Sequence, residues 1–191
     1  MTKPTIGILA LQGAVKPHVS HLEALGCAVR EVRLPRDFDG IAGLILPGGE
    51  STTLLKLIAL FSLEETLLAT AARIPYWGIC AGSILMASAV SNPAQRSFGL
   101  MSFGVMRNAY GRQNESFNHQ LQTPHGSGLV SFIRAPQITS VGGPATTVAA
   151  HGDRPVWLEQ GAHMVTTFHT ELSPETPSFV HRYFLDKVTR N

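Results

Sequence analysis

The sequence predicts a doubly wound α/β protein, with a mostly parallel sheet forming the middle of three layers and helices packed on both of its faces. Three observations predict it. The first half of the chain alternates strand-like and helix-like segments in the order β-α-β-α-β. Three of its strand segments, 5–11, 43–46 and 75–80, are near-continuous apolar runs, as parallel strands buried on both faces require. Gln12, the pair Gly48-Gly49 and Cys80 each fall just beyond one of those runs, which delivers them to the carboxyl edge of the sheet, where ligands gather.

Taken in order, residues 5–11 read as a central strand, and Gln12-Gly13 turns the chain into a helix over about 15–25 that Gly26 ends. Pro17 fits in the first turn of that helix, where a missing N–H costs nothing. Residues 27–32 read as a second strand, Arg36-Asp37-Phe38-Asp39 as a polar connection, and 43–46 as a third strand closed by Pro47-Gly48-Gly49. Helices follow over about 52–60 and 63–72. Residues 75–80 form an apolar strand ending in Cys80, and 83–89 read as the helix leaving it. Beyond Val90 the pieces are shorter and strand-like: 103–106, 128–133, 147–150 and 156–159. The turn His151-Gly152-Asp153-Arg154 makes a hairpin of the last two. Residues 164–168 give another strand and 178–188 a closing helix. With no repeat, low-complexity tract or linker, residues 1–191 read as a single domain.

Composition excludes several classes of function. A chain of 191 residues with 44% hydrophobic and 15% charged residues is compact and globular. Its net charge of +2 is too small to point to nucleic acid or an anionic membrane. Two cysteines, Cys27 and Cys80, supply no disulfide framework and suit a reducing compartment. Residues 6–11 are too short an apolar run for a signal peptide, and no stretch approaches the roughly 20 residues of a membrane span. The expectation is a soluble, cytoplasmic protein with no nucleic-acid or membrane partner. Cys27, where a helix passes into a strand, reads as inert packing.

Gly78-Ile79-Cys80-Ala81-Gly82 has the spacing of the G-x-S-x-G nucleophile elbow with sulfur in place of oxygen. A strand-to-helix reversal this tight lifts the thiol out of the sheet, sets it by a helix N-terminus and aims the Ala81 N–H at a developing oxyanion. Alone, such a run is matched as well by a buried structural cysteine. Phe168-His169-Thr170-Glu171 changes the balance. At a strand end, residues two apart point the same way, so Glu171 is expected to accept from one nitrogen of His169 and fix the tautomer of the other. Elbow cysteine and downstream H-x-E together are far more specific than either alone.

With these motifs the chain resembles the class I (triad) glutamine amidotransferases, and within them the glutaminase subunits of pyridoxal 5′-phosphate synthase. The resemblance runs through Leu9-Ala10-Leu11-Gln12-Gly13, Pro47-Gly48-Gly49-Glu50-Ser51-Thr52-Thr53, the Cys80 elbow, Arg107-Asn108-Ala109-Tyr110-Gly111-Arg112-Gln113, Phe132-Ile133-Arg134-Ala135-Pro136 and Phe168-His169-Thr170-Glu171-Leu172. It implies a flavodoxin-like three-layer fold, Cys80 as nucleophile, His169 as acid/base and Glu171 as its orienter. It also implies glutamine contacts at Gly49, Glu50, Ser51, Arg107, Ile133 and Arg134, and oxyanion donors at Gly48, Gly49 and Ala81. No metal or cofactor is implied. The implied partners are L-glutamine and a barrel-shaped synthase subunit that receives the ammonia. An arginine suits the carboxylate of glutamine by bidentate pairing, and an acidic group suits its ammonium. The Gly48-Gly49 peptide is expected to rotate freely, so that its carbonyl fills the oxyanion site at rest and a docking partner turns it away. Arg112 reads as a surface ion pair or partner contact.

Three positions depart from the family pattern. Thr170 stands where Pro is common and Ile79 where Thr is common, and both are expected to be tolerated; Pro17 replaces a usual Glu and removes a charge and an N–H from a helix start. Another class I amidotransferase, or a non-catalytic glutamine-binding scaffold, is the alternative reading. A cysteine peptidase or redox-sensing relative lacks the Gly48-Gly49-Glu50-Ser51 run. His18 and His21 share a helix face, but two nitrogens without a third ligand make a poor metal site; these and the remaining histidines read as solvated or hydrogen-bonded.

Overall fold

The structure, a computed structural model, describes residues 3–109 and 116–191. A seven-stranded sheet runs through its middle. Its first four strands are β1 (Thr5–Leu9), β2 (Ala28–Val32), β3 (Gly43–Leu46) and β4 (Tyr76–Ile79). The other three are β10 (Thr146–His151), β11 (Arg154–Gln160) and β12 (His163–Thr166). The order across the sheet is β10-β11-β12-β4-β3-β1-β2. Every pairing from β2 to β12 is parallel, and the β10-β11-β12 edge is antiparallel. The expected mostly parallel sheet is therefore present, and its 2-1-3-4 start is that of a flavodoxin-like winding.

Pleating splits the buried side chains between two cores. On one face Leu44, Leu46, Tyr76 and Val165 pack under α2 (Ser51–Leu60), α3 (Glu64–Ala71) and α4 (Ala81–Met86). On the other, Ile6, Ile8, Ile45 and Trp77 pack under α1 (Lys16–Ala24) and α5 (Phe179–Arg190). Leu44, Ile45, Leu46, Tyr76 and Trp77 are all fully buried, each side chain contributing roughly 1.5–3 kcal/mol. Ile79 is fully buried, and Cys27 is buried and free, with burial raising its thiol. Pro17 sits at the start of α1 as expected. Arg36-Asp37-Phe38-Asp39 is less of a polar connection than its letters suggest. A 3₁₀ turn, Pro35–Phe38, forms there because Asp37 accepts from the N–H groups of Arg33 and Leu34, and Phe38 drops into the core.

The structure corrects the reading of residues 83–89 as a helix. The helix ends at Met86, and Ala87–Ser91 is a strand, β5, lying parallel to β6 (Met101–Met106). Ser88, Val90 and Ser91 contribute little helix propensity, and the free edge of β6, with Ser88 Oγ donating to Phe103 O at 2.9 Å, takes the segment instead. Two more strands escape a reading by hydropathy. β7 (Phe117–Thr123) pairs antiparallel with β8 (Gly126–Phe132), and β9 (Gln137–Val141) completes a three-stranded sheet on β6. Both carry exposed polar residues and lack a continuous apolar run. The expected hairpin at residues 151–154 is present. Among the described residues, no helix is long and apolar enough to cross a membrane.

Candidate active site

Cys80 leaves β4 with φ 48° and ψ −103°, a conformation that costs a non-glycine residue on the order of 1–3 kcal/mol. Its surroundings hold it there. Its N–H donates to Thr166 O at 2.9 Å, and Ser83 Oγ donates to its carbonyl at 2.6 Å. The flanking glycines are demanded by close approach. A Cβ on Gly82 would overlap the Leu46 carbonyl, and one on Gly78 would lie 2.7 Å from Gly82 O and from Met86 Sδ.

Because β12 lies parallel beside β4, with Thr166 opposite Ile79, the chain beyond Thr166 runs along the elbow. The strand ends at Thr166, two residues before the expected end at Phe168, so His169 stands further from it than its spacing suggested. It lies beyond the strand, where a bridge to Ser131 keeps its backbone extended: His169 N donates to Ser131 O at 2.7 Å and Ser131 N to His169 O at 2.9 Å. His169 Nδ1 donates to Glu171 Oε1 at 2.6 Å, leaving Nε2 available to Cys80. Burial alone would lower the basicity of His169. Its interactions with Cys80 and Glu171 outweigh it and push the imidazole up to about 10. Glu171 is buried, which by itself favours its neutral form, but the His169 hydrogen bond holds its carboxyl below the usual range. A raised imidazole beside the cysteine favours the protonated ring, the partner that a nucleophilic sulfur needs.

The thiol opens into a cavity of about 870 Å³. Gly48, Gly49, Glu50, Ser51, Ala81, Arg107, Ile133 and Arg134 all line it beside Cys80 and His169, while Glu171 lies behind the imidazole. Arg107 Nη2 pairs with Glu50 Oε1 at 3.2 Å, so a cation and an anion stand together in the cavity. Ser51 is buried, its hydroxyl donating to Gln95 Oε1 at 2.9 Å. Arg134 has φ 45°, a second strained residue on the cavity wall. Gly48 packs so closely that a Cβ there would overlap the His169 ring. Its carbonyl accepts from Ala14 N at 2.9 Å, so the Gly48-Gly49 peptide is tied and not free to rotate, contrary to expectation. Residues Tyr110, Gly111, Arg112 and Gln113 lie outside the described residues.

Sequence reasoning missed two groups near the site. Gln12, read only as a rim residue, accepts from Glu50 N at 2.8 Å and packs on Gly49. His18, His21 and His181 are fully buried together behind Glu171. The shared helix face of His18 and His21 was the one available signal, and His181 carried none.

Residues 8–190 match the SNO glutamine amidotransferase family. The chain belongs to that family. Among the curated relatives of this SNO-family chain is the pyridoxal 5′-phosphate synthase subunit PdxT of Deinococcus radiodurans. The two are 46% identical over 95% of each chain. The protein of the same name from Streptomyces avermitilis is 42% identical over the whole of this chain and 97% of its own. A crystal structure of a glutamine amidotransferase superposes with a TM-score of 0.89 at 37% identity, covering 96% of this chain and 98% of the other.

Proposed function

We propose that this chain is the glutaminase subunit of a pyridoxal 5′-phosphate synthase, hydrolysing L-glutamine to L-glutamate and ammonia. The observation that carries the reading is the continuous line Cys80–His169–Glu171 opening into the cavity where Arg107 and Glu50 stand paired. Arg107 receives the α-carboxylate of glutamine and Glu50 its ammonium, so the amino acid takes each partner from the other. Ser51, Ile133, Arg134 and the Gly49 backbone complete the contact surface. The Cys80 thiolate then attacks the side-chain amide carbon, His169 protonates the departing ammonia, and water activated by the same imidazole hydrolyses the thioester. The N–H groups of Ala81 and of the Gly48-Gly49 turn stabilise the oxyanion.

Ammonia released into bulk water would be protonated and dispersed. The reading therefore includes direct transfer, in the cytoplasm, to a barrel-shaped synthase subunit that builds pyridoxal 5′-phosphate from a pentose phosphate and a triose phosphate. The relatives named as synthase subunits support that assignment. Docking of the partner switches turnover on, since an enzyme releasing ammonia without an acceptor would waste glutamine. The isolated chain is accordingly nearly silent. The experiment is steady-state ammonia release from L-glutamine by the purified chain, before and after adding the synthase subunit. Strong stimulation is the expected result. Full activity in the isolated chain, unchanged on addition, would overturn the partner dependence; no activity in either state would overturn the glutaminase.

A further inference from the structure

We propose that His18 is a positioning residue for Glu171, presenting its Nε2–H to the carboxylate from the end of a buried hydrogen-bond chain that runs from Thr170 through Ser178 and His181. The proposal rests on the glutaminase reading of Cys80, His169 and Glu171, and concerns what holds the last of these in place.

The protonation pattern follows from groups whose roles are fixed. Ser178 N donates to His21 Nδ1 at 3.1 Å, so that nitrogen bears no proton. His21 Nε2 is then the N–H that donates to the Glu171 carbonyl at 3.1 Å. Both nitrogens of His21 are thereby taken, and it cannot be a metal ligand.

The remaining members form one line. Thr170 Oγ1 lies 3.0 Å from Ser178 Oγ, Ser178 Oγ lies 2.7 Å from His181 Nδ1, and His181 Nε2 lies 2.9 Å from His18 Nδ1. His18 Nε2 then faces Glu171 Oε1 at 4.0 Å, with both side chains fully buried. Two directions are open to this line. In one, Thr170 donates to Ser178, Ser178 to His181 and His181 to His18, so that His18 carries its proton on Nε2, toward the carboxylate. In the other every donor reverses. His18 would then turn a bare lone pair toward a buried carboxylate, and the Thr170 hydroxyl proton would have no acceptor among the described residues.

A lone pair against an anion in a dry interior is repulsive, and a buried donor without an acceptor costs about 1–3 kcal/mol. Each direction leaves one buried donor without a hydrogen-bond partner, the His18 Nε2–H in the first and the Thr170 hydroxyl in the second, so the attraction between Nε2–H and the facing carboxylate decides for the first. Burial keeps His18 neutral, near 4, and holds His181 well below its ordinary value, so neither ring takes a second proton at neutral pH.

His18 Nε2 and Glu171 Oε2 are both buried without a hydrogen-bond partner, and they belong to the two groups that face each other. With the N–H of His21 on its carbonyl and that of His18 facing its carboxylate, Glu171 is held from behind while Oε1 holds His169. The family pattern has Pro where this chain has Thr170; here the hydroxyl supplies the first donor of the line.

The test begins with the histidine ring nitrogens. In ¹⁵N spectra of the histidine-labelled chain, His18 and His181 should each show a protonated Nε2 and a bare Nδ1; the opposite tautomer at His18 would overturn the proposal outright. His18→Phe keeps a ring against Trp77 and removes the donor. It should shift the His169 Nδ1–H resonance and lower kcat for glutamine on the order of tenfold with KM unchanged. His18→Gln, whose amide nitrogen reaches about where Nε2 stands, should restore both. An unshifted resonance and full kcat in a folded Phe variant would refute the positioning role. If that variant fails to fold, the wild-type tautomers and the Gln variant decide. A wild-type chain with these tautomers but no glutamine hydrolysis would overturn the proposed function and leave the network standing.

Discussion

His169 Nδ1 meets Glu171 Oε1 at 2.6 Å although neither residue belongs to a strand of the sheet. The alignment comes from outside the pair. Ser131 straightens the backbone at His169, and Ser173 N donating to Thr170 O turns it just after, so the two side chains are brought to one side. Acid, base and orienter thus depend on the Ser131 strand besides their own turn.

Losses on substitution should follow that line. Cys80→Ala should abolish ammonia release, and His169→Asn should be nearly as severe. Glu171→Gln should be milder, because an orienter acts through tautomer and geometry. Steady-state kinetics on folded variants check the ranking; measurable turnover in Cys80→Ala would remove the cysteine from the nucleophile's role.

Arg107 and Glu50 should act on binding. Arg107→Ala removes the carboxylate partner and should raise KM for glutamine about tenfold or more, with alkylation of Cys80 by a small reagent unchanged. Equal loss of both would make Arg107 a structural residue instead.

The elbow glycines should fail by collision. Gly82→Ala forces a methyl into the Leu46 carbonyl in a region where every neighbour is buried, and should destabilise the fold by about 3 kcal/mol or more. Cys80→Gly should do the reverse to the backbone. It relieves the strained φ, so the chain should keep or gain melting temperature while losing activity. A clear drop in melting temperature would show that the sulfur contributes more by packing than the strain costs.

Stability should peak near neutral pH. The unfolded chain protonates His18 near 6.5, whereas the folded chain refuses the proton until about 4, so stability falls as pH drops through that window. The contribution is at most about 3 kcal/mol. His181 and Glu171 act in the same direction, the carboxylate's share being lost as pH falls through its depressed range. His169 acts oppositely: its share is complete below 6.5 and is lost as pH rises toward about 10. Urea melts across this range should show both limbs, and His18→Gln should flatten the acid one. A stability profile level from pH 4 to neutrality would contradict the buried neutral histidines.

Much of this was written locally in the chain. The three apolar runs that became β1, β3 and β4, the glycines around Cys80 and the order in which Gln12, Gly48-Gly49 and Cys80 reach one edge all follow from short-range pattern and steric demand. Those signals act within a few residues, so they survive in the sequence alone. What the tertiary structure decided depends on pairing between distant segments. Ser88 and Val90 became strand because β6 offered an edge, and β7 and β9 formed without an apolar run because hydrogen bonding to a neighbour replaced burial. His169 was placed by Ser131, and the Gly48 carbonyl was tied by Ala14. His18, His21 and His181 come from the two helices that share one face of the sheet. Each reads alone as an ordinary polar residue; only folding puts them in one dry space, where every proton must find an acceptor.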